Sequence, residues 1–213
     1  MTIAVQPSGQ FLSGKWLLKP WVRPLLFVWA VLPLGYLIWA AATDQLGPNP
    51  AEALIRGSGD WTLRLLCLVL VVTPLRVATG WVALARFRRM LGLFVFFYAL
   101  LHALAYAWLD MGLVLTEVVR DIAKRPFILV GFAALLLLLA LALTSFDRAI
   151  RWLGGPVWRR LHQSVYLVAG LAVLHFFWMR AGKNDFAEVA VYALVLAFLL
   201  GWRLRRFISK RAL

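Results

Sequence analysis

The chain of 213 residues is 63% hydrophobic and 14% aromatic, which excludes a soluble globular domain, since no soluble surface carries that much apolar area. Its formal charge of +14 suits nucleic acid in a soluble protein, but in a chain this apolar the basic residues serve first to orient it in a bilayer. The single cysteine, Cys67, excludes an internal disulfide and a cysteine-ligated iron–sulfur cluster, and reads as a small apolar filler.

The first fifteen residues, MTIAVQPSGQFLSGK, lack the apolar core of a cleavable secretory signal, so the stretch after them is read as a permanent span. Six segments are long and apolar enough to cross a bilayer as helices, at residues 22–42, 61–79, 90–109, 127–144, 161–179 and 187–204. Pro24 and Pro33 fall in the first, where a kink is tolerated if neighbouring helices cover the freed carbonyls. Tryptophans such as Trp21, Trp61, Trp108 and Trp158 stand at predicted span ends, as interfacial anchors do. The predicted fold is an all-α integral membrane protein, a six-transmembrane-helix bundle. Residues 1–21 form a cytoplasmic N-terminal segment, 22–204 the transmembrane domain and 205–213 a basic cytoplasmic tail. The loops leave no room for a soluble catalytic domain, so any soluble redox partner is another protein.

Charge gives the orientation. Sixteen of the 23 basic residues and only Asp147 among the nine acids fall on one side of the predicted spans. The positive-inside rule then places both termini in the cytoplasm.

All three histidines, His102, His162 and His175, lie inside predicted spans, where imidazole is costly unless it is paired, faces the bundle interior or binds something. His102 follows Arg89 by thirteen residues and His175 follows Arg160 by fifteen, on helices that run in the same direction. The two therefore sit about 20 and 22 Å beyond their cytoplasmic flanks, at a shared depth near the outer face. Two neutral imidazoles at matching depth on different helices suit axial ligation of a haem, an arrangement fitted to moving electrons. A lone membrane histidine is more often a packing or hydrogen-bonding residue, but three histidines with none in a loop, two of them depth-matched, favour ligation. A non-haem metal fits less well, because no carboxylate inside a span near them completes the ligand set.

His162 is two residues past Arg160, near the cytoplasmic face, and points away from His175 on a straight helix, with Gly170 between them as a place for a bend. A partner on the third span at its depth would be Arg88 or Arg89. The alternatives for His162 are ligation of a second haem, with a partner such as Met90, or a place in a flavin or quinone pocket. Arg76, Arg88, Arg89 and Arg160 present guanidinium forks suited to haem propionates or a flavin phosphate, although topology anchoring is the commoner role for any one of them. On the outer side, residues 110–126 and 180–185 are the surfaces available to a partner.

The runs TPLR (73–76), RRMLGLFVFFYALLH (88–102), KRPFILVGF (124–132), LTSFD (143–147) and WRRLHQSVYLVAGLAVLHFFW (158–178) resemble the MsrQ (YedZ) family of the ferric-reductase-like transmembrane superfamily. The resemblance runs from Thr73 to the sixth span, with a looser match before it. It implies an electron-transfer subunit of the bacterial inner membrane carrying b-type haem, one or two, and FMN. Electrons would come from the quinone pool or a cytoplasmic flavin reductase and pass to a periplasmic molybdopterin-containing methionine-sulfoxide reductase, an MsrP-like subunit that holds the catalytic site and repairs oxidised proteins. The superfamily carries two histidines on each of two helices; this chain matches with His102, His162 and His175 and has Arg88 at the fourth place. Two other readings compete: a stand-alone ferric or quinone reductase, and a transporter or assembly factor whose histidines relay protons.

Overall fold

The computed structural model describes residues 14–182 and 184–209, so most of the expected N-terminal segment, Lys183 and the end of the basic tail lie outside it. The described residues are helical, with no strand. A short 3-10 turn (Gly14–Leu18) leads into α1 (Val22–Ala42) and α2 (Pro50–Thr79). A second 3-10 segment (Val82–Phe87) precedes α3 (Arg88–Ala105), which ends in a π-helical turn (Tyr106–Asp110). Then follow α4 (Leu115–Lys124), α5 (Pro126–Leu143), α6 (Asp147–Leu153), α7 (Gly155–His162), α8 (Val165–Ala181) and α9 (Ala187–Ser209). Six stretches are long and apolar enough to cross a membrane: Val22–Ala42, Pro50–Thr79, Val82–Asp110, Pro126–Leu143, Gly155–Ala181 and Ala187–Ser209. The protein is thus a multi-pass, all-α membrane bundle, as its hydropathy predicts.

The second and fifth spans differ most from the sequence reading. The second span begins at Pro50 rather than at residue 61. Its extra three turns, PAEALIRGSGD, are too polar for a hydropathy window but carry local helix-starting chemistry. The Asn49 side chain accepts the Glu52 N–H at 3.1 Å and donates to the Glu52 carboxylate at 3.2 Å, Pro50 occupies the first turn, and Glu52 pairs with Arg56 one turn on. At the other end Gly80, at φ +73°, closes α2 in the left-handed conformation and donates its N–H to the Arg76 carbonyl at 3.0 Å. The fifth span is broken at Gln163–Ser164, where Ser164 N–H bonds Leu161 and Tyr166 N–H bonds Gln163, both at 3.0 Å. These tighter i→i−3 bonds separate α7 from α8, whereas α8 runs unbroken through Gly170. The break between His162 and His175 therefore lies beside His162, and the helix is regular through Gly170.

Packing gathers the helices into two pairs. α2 lies mainly against α3 and α5 mainly against α8; α3 meets α5 where the pairs join, and α9 covers α2 and α8. The buried centre is drawn from Leu65, Leu66 and Leu70 of α2, Val95 and Tyr98 of α3, and Val168 and Ala169 of α8. Apolar side chains such as Leu194 and Phe198 of α9 face outward, as lipid contact requires.

Beside each internal proline a polar group from another helix bonds the backbone. Pro33 interrupts the ladder of α1, and the Tyr98 phenol is inserted there, donating to the Ala30 carbonyl at 2.8 Å and accepting the Leu34 N–H at 3.1 Å. Leu34 N–H would ordinarily bond Ala30, so the hydroxyl replaces one helical bond with two. Pro74 of α2 has no N–H to offer the Leu70 carbonyl, and the Arg203 guanidinium of α9 donates to that carbonyl instead. No water reaches such groups in a bilayer, so each proline in mid-span demands a partner of this kind.

Candidate cofactor site

The structure brings His102 of α3 and His175 of α8 together where the two helix pairs meet. Their ring centroids are 6.1 Å apart and their planes stand at 82°. Each ring is held by its own helix pair. His102 Nδ1 lies 2.8 Å from the Ile55 carbonyl of α2, and His175 Nδ1 lies 2.6 Å from the Phe127 carbonyl of α5. A carbonyl only accepts, so Nδ1 carries the proton in both rings and Nε2 keeps its lone pair. Neither Nε2 has a hydrogen-bond partner among the described residues. Two such nitrogens can hold a metal between them: metal–nitrogen bonds of about 2 Å plus the depth of each ring give a centroid spacing of roughly 6 Å. No cluster of three histidine, cysteine or acidic side chains able to hold a bare ion is present among the described residues. A metal with only two protein ligands needs the rest of its coordination from elsewhere, as a macrocycle provides.

His162 stands apart from this pair. It is half-buried at the end of α7, with Nε2 3.1 Å from the Thr144 hydroxyl and its ring stacked on Trp158 at 4.0 Å and 27°. Trp158 in turn donates its indole N–H to the Thr144 carbonyl at 2.9 Å, which ties α7 to the end of α5. Of the four arginines expected near it, Arg89 is paired with Asp147 at 2.8 Å on the protein surface, whereas Arg76, Arg88 and Arg160 make no ion pair among the described residues. An open groove lined by Arg23, Phe27, Arg89, Met90 and Leu93 lies between α1 and α3 at the same arginine-rich end.

The opposite end of the bundle, over the histidine pair, is closed by α4. Tyr106, one turn beyond His102, donates to the Asp121 carboxylate at 2.5 Å, and Arg125 grips the same carboxylate through both Nε and a terminal nitrogen. Phe127, whose carbonyl anchors His175, follows Arg125 by two residues, so the clamp joins α3, α4 and α5 just above the paired rings. Burial pushes the Asp121 carboxyl up, but hydrogen bonds from Arg125 and Tyr106 and the charges of Arg125 and Lys124 outweigh it and hold the group below the ordinary carboxylate value. A carboxyl lowered by folding stabilises the fold above its unfolded value and loses that contribution as pH falls through the lowered one. Hydrogen-exchange protection of residues 115–124 is therefore expected to hold from neutral pH through the ordinary carboxylate range and to fall only below it. In Asp121→Asn the protection should be weak at every pH; protection as strong as in the wild type would show that the clamp does not secure α4. Nearby, Arg180 is buried and bonded to Asp185 at 2.8 Å and Glu188 at 2.6 Å, so of the two expected partner-facing turns the 180–185 one has its arginine turned inward.

Several of these parts escape a reading of side-chain types. The Ile55 and Phe127 carbonyls have no signature of their own, and Ile55 lies in the part of α2 that hydropathy omits. Trp158 does carry a signal, since it precedes His162 by four residues and so shares its helix face.

The family described as ferric reductase like transmembrane component matches residues 58–173, more than half of the chain. That stretch holds His102 and His162 and stops two residues short of His175. Among curated relatives, a protein of Polaromonas naphthalenivorans is 62% identical over 89% of this chain and 86% of its own length. Relatives from Bordetella pertussis and Herminiimonas arsenicoxydans are 50% and 48% identical, covering 89% and 84% of this chain and 92% and 82% of their own. All three bear the name protein-methionine-sulfoxide reductase heme-binding subunit MsrQ. No solved structure matches the chain.

Proposed function

The chain belongs to the ferric-reductase-like transmembrane family, alongside its MsrQ members, and from that premise we propose that it is the haem-binding, electron-transferring membrane subunit of a methionine-sulfoxide reductase. The observation that carries the proposal is the His102–His175 pair, with both Nδ1 atoms bound to backbone carbonyls and both Nε2 atoms left for an iron. His102 and His175 would hold haem b, which would supply one-electron transfer when bound. The protein's own residues orient the rings, exclude water through the Leu65, Val95 and Val168 core, and close the α4 end with the Tyr106–Asp121–Arg125 clamp.

The charge asymmetry supports a reading, on a bacterial inner membrane, with both termini and the arginine-rich end in the cytoplasm and the α4 end in the periplasm. Electrons then enter on the side of His162, where Arg76, Arg88 and Arg160 suit propionates or an FMN phosphate and the α1–α3 groove suits a quinone. The donor is the quinone pool or a cytoplasmic flavin reductase. The acceptor is a periplasmic molybdopterin subunit of the MsrP type, which holds the catalytic site and docks on the residue 110–126 face.

The test is a reduced-minus-oxidised optical spectrum of the detergent-purified chain, with pyridine haemochrome quantification and an assay of released flavin. A low-spin b-type spectrum is expected. Two haems per chain would make His162 a ligand of the second; one haem with flavin would make it part of the electron-uptake pocket. Absence of haem from protein made with full haem supply would overturn the proposal.

A further inference from the structure

The carbonyl that anchors each imidazole lies one helical turn before a glycine. Ile55 precedes Gly59 on α2 by four residues, and Phe127 precedes Gly131 on α5 by the same interval. Inside an α-helix the carbonyl of residue i already accepts the N–H of residue i+4, so a second donor has to approach from the side, past whatever stands at i+4. Any side chain there obstructs the approach. A Cβ on Gly131 would lie 2.8 Å from His175 Nδ1 and 2.9 Å from its Cε1, and one on Gly59 would lie 3.1 and 3.2 Å from the same atoms of His102. Other helical glycines behave differently: Gly92 and Gly170, on the helices that carry the histidines, face open space, and Gly57 faces only the Leu37 side chain of α1. The device therefore occurs at both imidazoles, on two separate helix pairs.

We infer that Gly59 and Gly131 are positioning residues for the two imidazoles, admitting each ring edge-on to a helix backbone and so fixing its Nδ1–H tautomer, its plane and the direction of Nε2. The inference rests on the haem assignment above. It also explains the 82° between the rings, because each plane is set by its own acceptor helix rather than by the other ring. The two glycines are not equivalent. The ring of His175 has to move further than that of His102 to accept a methyl group, so a graded response follows.

The experiment compares Gly131→Ala, Gly59→Ala, Gly57→Ala and Gly170→Ala in the full chain, reading haem per folded protein, the midpoint potential and the low-spin ferric electron paramagnetic resonance signal. Near-perpendicular axial imidazoles give a strongly anisotropic signal, and that signal moves when a ring turns. Gly131→Ala is expected to shift it and to weaken haem retention about tenfold, the scale on which outer-shell partners of metal-bound histidine act. Gly59→Ala should shift it less. Gly57→Ala strains the α1–α2 contact without touching a histidine, and Gly170→Ala touches nothing, so both should keep the wild-type signal. An unchanged signal and potential in Gly131→Ala, or the same shift in Gly57→Ala or Gly170→Ala, would overturn the inference while leaving the haem assignment intact. Wild-type protein without haem would instead overturn the assignment. Histidine nitrogen-15 resonances of the wild-type chain test the geometry without any substitution: both rings should be protonated at Nδ1, and a ring protonated at Nε2 would defeat the inference even if Gly131→Ala does not accumulate.

Discussion

Replacing either His102 or His175 by alanine is expected to abolish the same low-spin haem signal, and replacing both should add nothing further. The two rings face each other across 6.1 Å from different helix pairs, so on the proposed function each variant would remove one of the two nitrogens that would hold a single iron, and neither leaves a substitute among the described residues. The fold should survive. The Ile55 and Phe127 carbonyls released by the substitutions lie within helices and retain their own i+4 N–H partners, so no buried acceptor is orphaned. Added imidazole should restore the signal in both variants by filling the vacated space. The optical and paramagnetic spectra of membranes holding equal amounts of each protein are the check; a normal low-spin spectrum in either single variant would refute the pairing. His162→Ala should leave this signal in place while slowing its reduction from the arginine-rich end, since that ring is engaged with Thr144 and Trp158 there.

Tyr98→Phe should be the most costly single-atom change in the bundle. Its hydroxyl is the bridge across the Pro33 break in α1, and Tyr98 is completely buried. Removing it leaves the Ala30 carbonyl and the Leu34 N–H without partners in a region no water reaches, at a cost of about 1–3 kcal/mol for each buried group left unsatisfied. The cost should shrink in a Pro33→Ala background, where α1 can restore its own ladder, and the difference between the two backgrounds measures the bridge directly. Thermal unfolding of the detergent-solubilised variants reads both numbers. Equal losses in the two backgrounds would show that the phenol does not repair the proline.

The Pro33 break also shows what the sequence made legible. Hydropathy located the six spans, and counting from the basic flanks brought His102 and His175 to one depth, because rise per residue and span length are properties of the helix itself. The need for a partner at Pro33 was legible too, but its identity was not, since Tyr98 lies 65 residues further along and reaches α1 only through packing. The first turns of α2 were missed for a related reason. A hydropathy window weighs transfer to lipid, whereas Asn49, Pro50 and Glu52 start a helix by satisfying its free N–H groups, which any solvent environment rewards. The same limit hid the acceptors of the two imidazoles: a carbonyl is present at every residue, and only its glycine four positions later distinguishes it. At His162 the proximity of Arg88 and Arg89 in depth was visible, but the turn at Gln163–Ser164 that directs the ring toward Thr144 depends on how α7 meets α5.

The hydrogen bond from Arg203 to the Leu70 carbonyl bears on the order of biosynthesis. α2 precedes α9 in the chain and carries a carbonyl that Pro74 has deprived of its partner, and the guanidinium that satisfies it arrives on α9, after the five other described spans. Because α9 also covers α8, the same late arrival spans the two helix pairs. Closure of the bundle therefore waits for α9, and the cleft between the pairs is latched only after both histidine-bearing helices have been made.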